Sequence, residues 1–120
     1  MLFRRWEESM DLYKVVITAK AQEQLERYID YIQLTLLNDQ AAQNVWQDAA
    51  DTGRALSVLA GSLGYCSHPM LKALGYRSIS FQRHRYIMIY HINGRTAYVD
   101  AIYHQLQDYE NTFADMILNE

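Results

Sequence analysis

Two hydrophobic periods alternate along the chain, and the points where they change predict its elements. Leu12 to Ile17 holds the β-branched run Tyr13-Lys14-Val15-Val16-Ile17 and reads as a strand. Thr18 follows as an N-cap, because its hydroxyl can accept one of the free N–H groups of a first helical turn. Leu25, Tyr28, Ile29, Ile32 and Leu36 then recur at helical spacing. Asn38 and Asp39 break that stripe and cap a second helix, with Ala42, Val45, Trp46, Ala49, Gly53, Leu56 and Leu59 inward and Gly61 and Gly64 closing it. Two helices joined by so short a break turn back on each other as an antiparallel hairpin. Neither can bury its apolar face alone, so the Leu25-Ile29-Ile32-Leu36 and Ala42-Trp46-Ala49-Leu56 stripes should face each other and a sheet.

The second half changes period. Arg77 to Phe81 is a short strand, Gln82 to Arg85 a polar turn, and Tyr86 to Ile92 a strongly apolar strand. Asn93-Gly94 marks a hairpin, since both residue types accept positive φ, and Thr96 to His104 is the returning strand. Asp108 to Leu118 places Tyr109, Phe113, Met116 and Ile117 on one face of a short last helix, packed by default. The fold class is therefore α+β: an N-terminal strand, an antiparallel helical hairpin, a three-strand antiparallel meander and a short C-terminal helix. The hairpin covers one sheet face, and the cationic strands are expected to leave the other open. Residues 1–11 carry no pattern and read as an extension ahead of a single domain over 12–120.

Composition narrows the class. Half of the 120 residues are hydrophobic and one is proline, the profile of an ordinary folded chain. Apolar runs are short, so neither a signal-peptide core nor a membrane span is expected. A lone Cys66 cannot form an internal disulfide and fits a reducing cytoplasm. Net charge is -3, unevenly spread: Thr52 to Val99 contains no Asp or Glu but has Arg54, Lys72, Arg77, Arg83, Arg85 and Arg95. This asymmetry suggests a face that meets an anion, although a pI near 5.7 is low for a nucleic-acid binder. His68, His84 and His91 show no metal-site spacing, so neither metal nor cofactor is expected.

Several strings, in order and spacing, resemble the RelE/ParE toxin superfamily. They are Tyr13-Lys14-Val15-Val16-Ile17-Thr18 with Ala21 and Leu25, then Pro69 with Leu71-Lys72 and Gly75-Tyr76-Arg77. Arg83-His84-Arg85-Tyr86-Ile87-Met88-Ile89-Tyr90 follows, and Ala101-Ile102-Tyr103-His104 runs into Gln107-Asp108-Tyr109. The resemblance implies the toxin of a type II toxin–antitoxin pair, bound by a cognate antitoxin through strand addition and helix-in-groove contacts. It leaves two activities open. Members similar to RelE cut messenger RNA in the ribosomal A site, whereas members similar to ParE inhibit DNA gyrase. A decayed toxin that keeps only antitoxin binding is a third reading.

For the nuclease branch, the resemblance implies Arg85 and Arg77 on the scissile phosphate and His104 exchanging protons, with Lys72, Arg83, Tyr90 and Arg95 as further RNA contacts. Such cleavage needs a group to deprotonate the 2′-hydroxyl, cations for the charge on phosphorus and a proton for the leaving oxygen. The chain also departs from that pattern. His68-Pro69-Met70 stands where some histidine-bearing members carry a carboxylate, and Gln105 stands where an aromatic is expected. The dense Lys and Arg of the strongest ribosome-dependent members are missing.

Overall fold

The computed structural model describes residues 12–120, so the extension expected over residues 1–11 lies outside the described residues. The elements are β1 (Lys14–Ile17), α1 (Ala19–Asp30), a π-helical turn (Tyr31–Thr35), α2 (Asp39–Leu59), α3 (Pro69–Ala73), β2 (Arg77–Ser80), β3 (Tyr86–Asn93), β4 (Thr96–His104) and α4 (Tyr109–Leu118). The α+β order expected from the periods is the one found. The four strands form one sheet in the order β1-β4-β3-β2, with β1 parallel to β4 and the remaining pairs antiparallel. The parallel pairing is possible because the whole helical hairpin lies between β1 and the meander, long enough to carry the chain back.

Both predicted helix starts form as expected. The Thr18 hydroxyl accepts from Ala21 N–H and the Asn38 side chain from Ala41 N–H. The hairpin lies on one sheet face, where Leu25, Ile29, Val45, Ala49 and Leu56 pack with Ile79, Met88, Tyr90, Val99 and Ile102. Burying each such aliphatic side chain stabilises the fold by about 1.5–3 kcal/mol.

The stripes are borne out except at Leu36, Trp46 and Leu59, which are exposed. Leu36 is 55% exposed and Trp46 40%. In α1 the reason is the π turn: Leu36 N–H bonds Tyr31 O, so the extra residue per turn rotates Leu36 out of the stripe. Leu37 then adopts φ +52° to reverse the chain into Asn38. On α2 the inner face is set by Val45, Asp48, Thr52 and Leu56, which displaces Trp46 to the margin.

The turn between β3 and β4 also differs in detail. Its central pair is Gly94-Arg95, because Asn93 already pairs with Thr96. Gly94 has φ +64° and Arg95 is not among the positive-φ residues, the pattern of a type II′ turn that only glycine opens without strain.

The expectation of an open second sheet face is overturned. α3, which the periods did not reveal, and α4 close it: Phe113 and Leu71 are buried with Ile87, Ile89, Ala101, Tyr103 and Cys66. The strands are apolar on both faces there, so leaving one in water would forfeit that burial.

Tyr90 crosses this architecture at its centre. It is wholly buried, and its hydroxyl donates to Ala60 O at 2.7 Å, satisfying a carbonyl at the end of α2. Burial pushes its phenol up to about 12, so it stays a neutral donor. Tyr90→Phe should strand that carbonyl and cost about 1–2 kcal/mol. A lower urea midpoint at unchanged m checks it.

Candidate functional site

Among the described residues, cations and imidazoles converge on one groove, of about 400 Å³, at the end of the sheet where β3 begins and β4 ends. Arg83, His84, Arg85 and Tyr86 supply one wall, His104 the end of β4, and Ile32, Leu36, Asn38, Ala41 and Val45 the helical side. Antiparallel pairing sets Tyr86 opposite His104, and this is how residues far apart in sequence come together. Tyr86 and His104 meet edge to face at 5.2 Å between ring centroids, and Tyr28 and Phe81 pack on the other sides of Tyr86. Arg85 is exposed, its carbonyl accepting from Gln105 N–H at 2.8 Å, and its guanidinium forms no ion pair among the described residues.

His104 is oriented by its own loop. Its Nδ1 accepts from Leu106 N–H at 3.1 Å, while its backbone N–H is held by Gln107 Oε1 at 3.1 Å. An acceptor at Nδ1 places the ring proton on Nε2, so the neutral ring presents a hydrogen-bond donor.

The turn carrying Arg83, His84 and Arg85 is anchored by one buried carboxylate. Asp48, 0% exposed on α2, accepts from Gln82 N–H at 3.1 Å and Arg83 N–H at 2.9 Å, and pairs with His84 Nδ1 at 2.7 Å. Desolvation pushes the Asp48 carboxyl upward. The His84 bond and the two backbone donors together outweigh it and hold the group below its ordinary range, so it is ionised at neutral pH. Asp51, one turn on, pairs with both Arg83 and Arg54.

The remaining expected residues do not join this groove. Arg77 pairs across from Tyr90, well along β3 from Tyr86; its guanidinium bonds Leu63 O and Tyr65 Oη and lies 4.0 Å over the Tyr65 ring. Arg95 sits in the turn at the opposite end of β3 and β4, and Lys72 sits on α3. The cations of the acid-free stretch therefore do not share a face, and two of them are neutralised by an acid from α2. Tyr90, expected as an RNA contact, is instead a core residue, since its ring is buried and its hydroxyl already donates. Burial, reinforced by Glu110, pushes the Cys66 thiol up to about 11, which removes it as a nucleophile.

Sequence reading missed Asp48 and its pairing with His84. A signal was present: Val45, Asp48, Thr52 and Leu56 share one helical stripe, and a carboxylate inside such a stripe demands partners.

Among the described residues, no group of His, Cys, Asp and Glu could hold a metal ion, and no helix is long and apolar enough to cross a membrane. No protein-family model and no curated protein matches the sequence. The structure is similar to a solved chain of the chromosomal ParDE TA system from P. aeruginosa, with a TM-score of 0.65 at 19% identity, over 78% of this chain and 97% of that one. The strand, helical hairpin and meander seen here are thus the RelE/ParE-like fold.

Proposed function

We propose that this chain is the toxin of a type II toxin–antitoxin pair and that it cleaves messenger RNA on the ribosome through the groove at Arg85 and His104. The observation that carries the nuclease reading is their convergence. A guanidinium that is exposed and forms no ion pair among the described residues, and a histidine with a fixed Nε2–H donor, flank one cleft, as a phosphodiester requires. Arg85 holds the phosphate charge, while Arg83 on the same turn is already paired with Asp51. The likeness to a chain of a toxin–antitoxin system supports the pairing with an antitoxin. So does the surface beside β1. That strand pairs only with β4 among the described residues, and an apolar groove of about 730 Å³ runs between it and α2, where an antitoxin segment could add a strand and seat apolar side chains.

A second reading is gyrase inhibition without cleavage. It is favoured by the ParDE likeness and by the closed second sheet face, which leaves no open basic sheet face for RNA among the described residues. Expression of the chain, with mapping of message ends on translating ribosomes and a gyrase supercoiling assay, separates the two. Under the nuclease reading, His104→Ala with Arg85→Ala abolishes both toxicity and the new message ends. Persistent toxicity of that double variant, with supercoiling inhibited and messages intact, would replace the nuclease with the gyrase inhibitor.

A further inference from the structure

The groove contains a second imidazole, and the hydrogen bonds set the two rings in opposite states. His84 Nδ1 faces the ionised carboxylate of Asp48 at 2.7 Å, so Nδ1 carries the proton and the lone pair is on Nε2. Its side chain is 30% exposed on the groove, and Nε2 has no partner among the described residues. His104 is the reverse, with its lone pair engaged by Leu106 N–H and its proton on Nε2. A ring held that way gives a hydrogen bond well.

We propose that His84, oriented by buried Asp48, is the proton acceptor of this groove, and that His104 acts beside it as a neutral hydrogen-bond donor to an RNA phosphodiester. The assignment rests on the nuclease reading above and divides its chemistry between two residues. His84 Nε2 takes the proton of the 2′-hydroxyl, and O2′ bonds to phosphorus as the bond from phosphorus to O5′ breaks. O5′ leaves with a proton from water, and the hydroxide so formed recovers the proton from His84. The products are a 2′,3′-cyclic phosphate and a 5′-hydroxyl.

Asp48 does not touch the RNA; it is a positioning residue that fixes the tautomer and faces the imidazolium as it forms. The other groups around His84 are consistent with this division. Asp51 on α2 is occupied by Arg54 and Arg83. Arg83 is paired with Asp51, and Arg85 opposes a positive ring but holds the phosphate whose charge offsets it. Burial raises the Tyr28 and Tyr86 phenols, which keeps them neutral.

The test uses the full chain in a reconstituted translation system, following single-turnover message cleavage between about pH 5 and 8.5, a range centred on imidazole titration. Wild-type cleavage should rise with pH through that range. His84→Ala should lower the rate about 10²–10⁴-fold and flatten the rise, whereas His104→Ala should lower the rate and keep the rise. Asp48→Asn, which keeps the shape without the charge, should slow cleavage and mix the two neutral tautomers of His84 in nitrogen-15 spectra. Nitrogen-15 spectra of the wild type should show the proton on Nδ1 of His84 and on Nε2 of His104, a readout independent of any variant's folding. Undiminished cleavage by a folded His84→Ala, a slowed variant that retains the pH rise, or the reverse tautomers would each overturn the assignment alone. Wild-type protein that leaves every message intact overturns the nuclease reading and the assignment with it.

Discussion

Phe113→Ala should destabilise the protein by about 3–5 kcal/mol, the cost of emptying an aromatic site in a closed core. Phe113 is 1% exposed and is the main side chain that α4 places on the second sheet face, with Ile87, Ile89, Ala101 and Tyr103 beneath it. Its ring also meets Tyr76 edge to face at 5.0 Å between centroids. α4 is a single short helix, and a helix of that length is marginal without its tertiary contacts. The substitution should therefore loosen the whole segment as well as leave a cavity. Thermal unfolding followed by circular dichroism should show Tm lower by roughly 10–20 °C. Hydrogen exchange should show early loss of protection over Tyr109–Leu118. A variant within about 1 kcal/mol of the wild type would mean that the second face does not need α4.

Asp48→Ala should cost a similar amount, about 3–5 kcal/mol, by a different route. The carboxylate is wholly buried, and its removal strands the Gln82 and Arg83 amides and leaves His84 without its partner. The same group sets a pH dependence. Its folded pKa lies below the ordinary carboxylate value, so its contribution is fully present above about pH 4, where the unfolded carboxylate is also ionised. That contribution is lost as pH falls through the lower folded value. Urea unfolding at pH 7 and at pH 3 checks both claims: the gap between wild type and Asp48→Asn should narrow at acid pH. A constant gap would show that the carboxylate charge contributes nothing.

The hydrophobic periods carried most of the architecture. Thr18 and Asn38 marked two helix starts, and the apolar run over Tyr86 to Ile92 with Asn93-Gly94 after it marked the long hairpin, because caps, apolar runs and turn residues are local properties of neighbouring residues. Arg85 and His104, named through the resemblance, line one groove in the structure. Other features were not local. The π turn at Tyr31–Thr35 looks like ordinary helix in sequence, since it changes the phase of the stripe without changing its residue types. α3 is too short to show a period, and its N-cap, His68, accepts from Met70 N–H with a ring nitrogen.

What the sequence by itself determined, then, is the longer elements, their order and the α+β class, since each depends on residues within a turn or two of one another. Tertiary structure alone decided which sheet faces are covered and which charges meet. Lys72, Arg77, Arg83, Arg85 and Arg95 look like one basic stretch along the chain, yet antiparallel pairing sends Arg95 to the far end of the sheet from Arg85, and Arg83 turns to an aspartate on α2. The Asp48–His84 pair arises from contact between a helix and a turn far apart in the chain. Burial makes that contact strong: a carboxylate removed from water must find donors, and the folded chain offers His84 and two backbone amides.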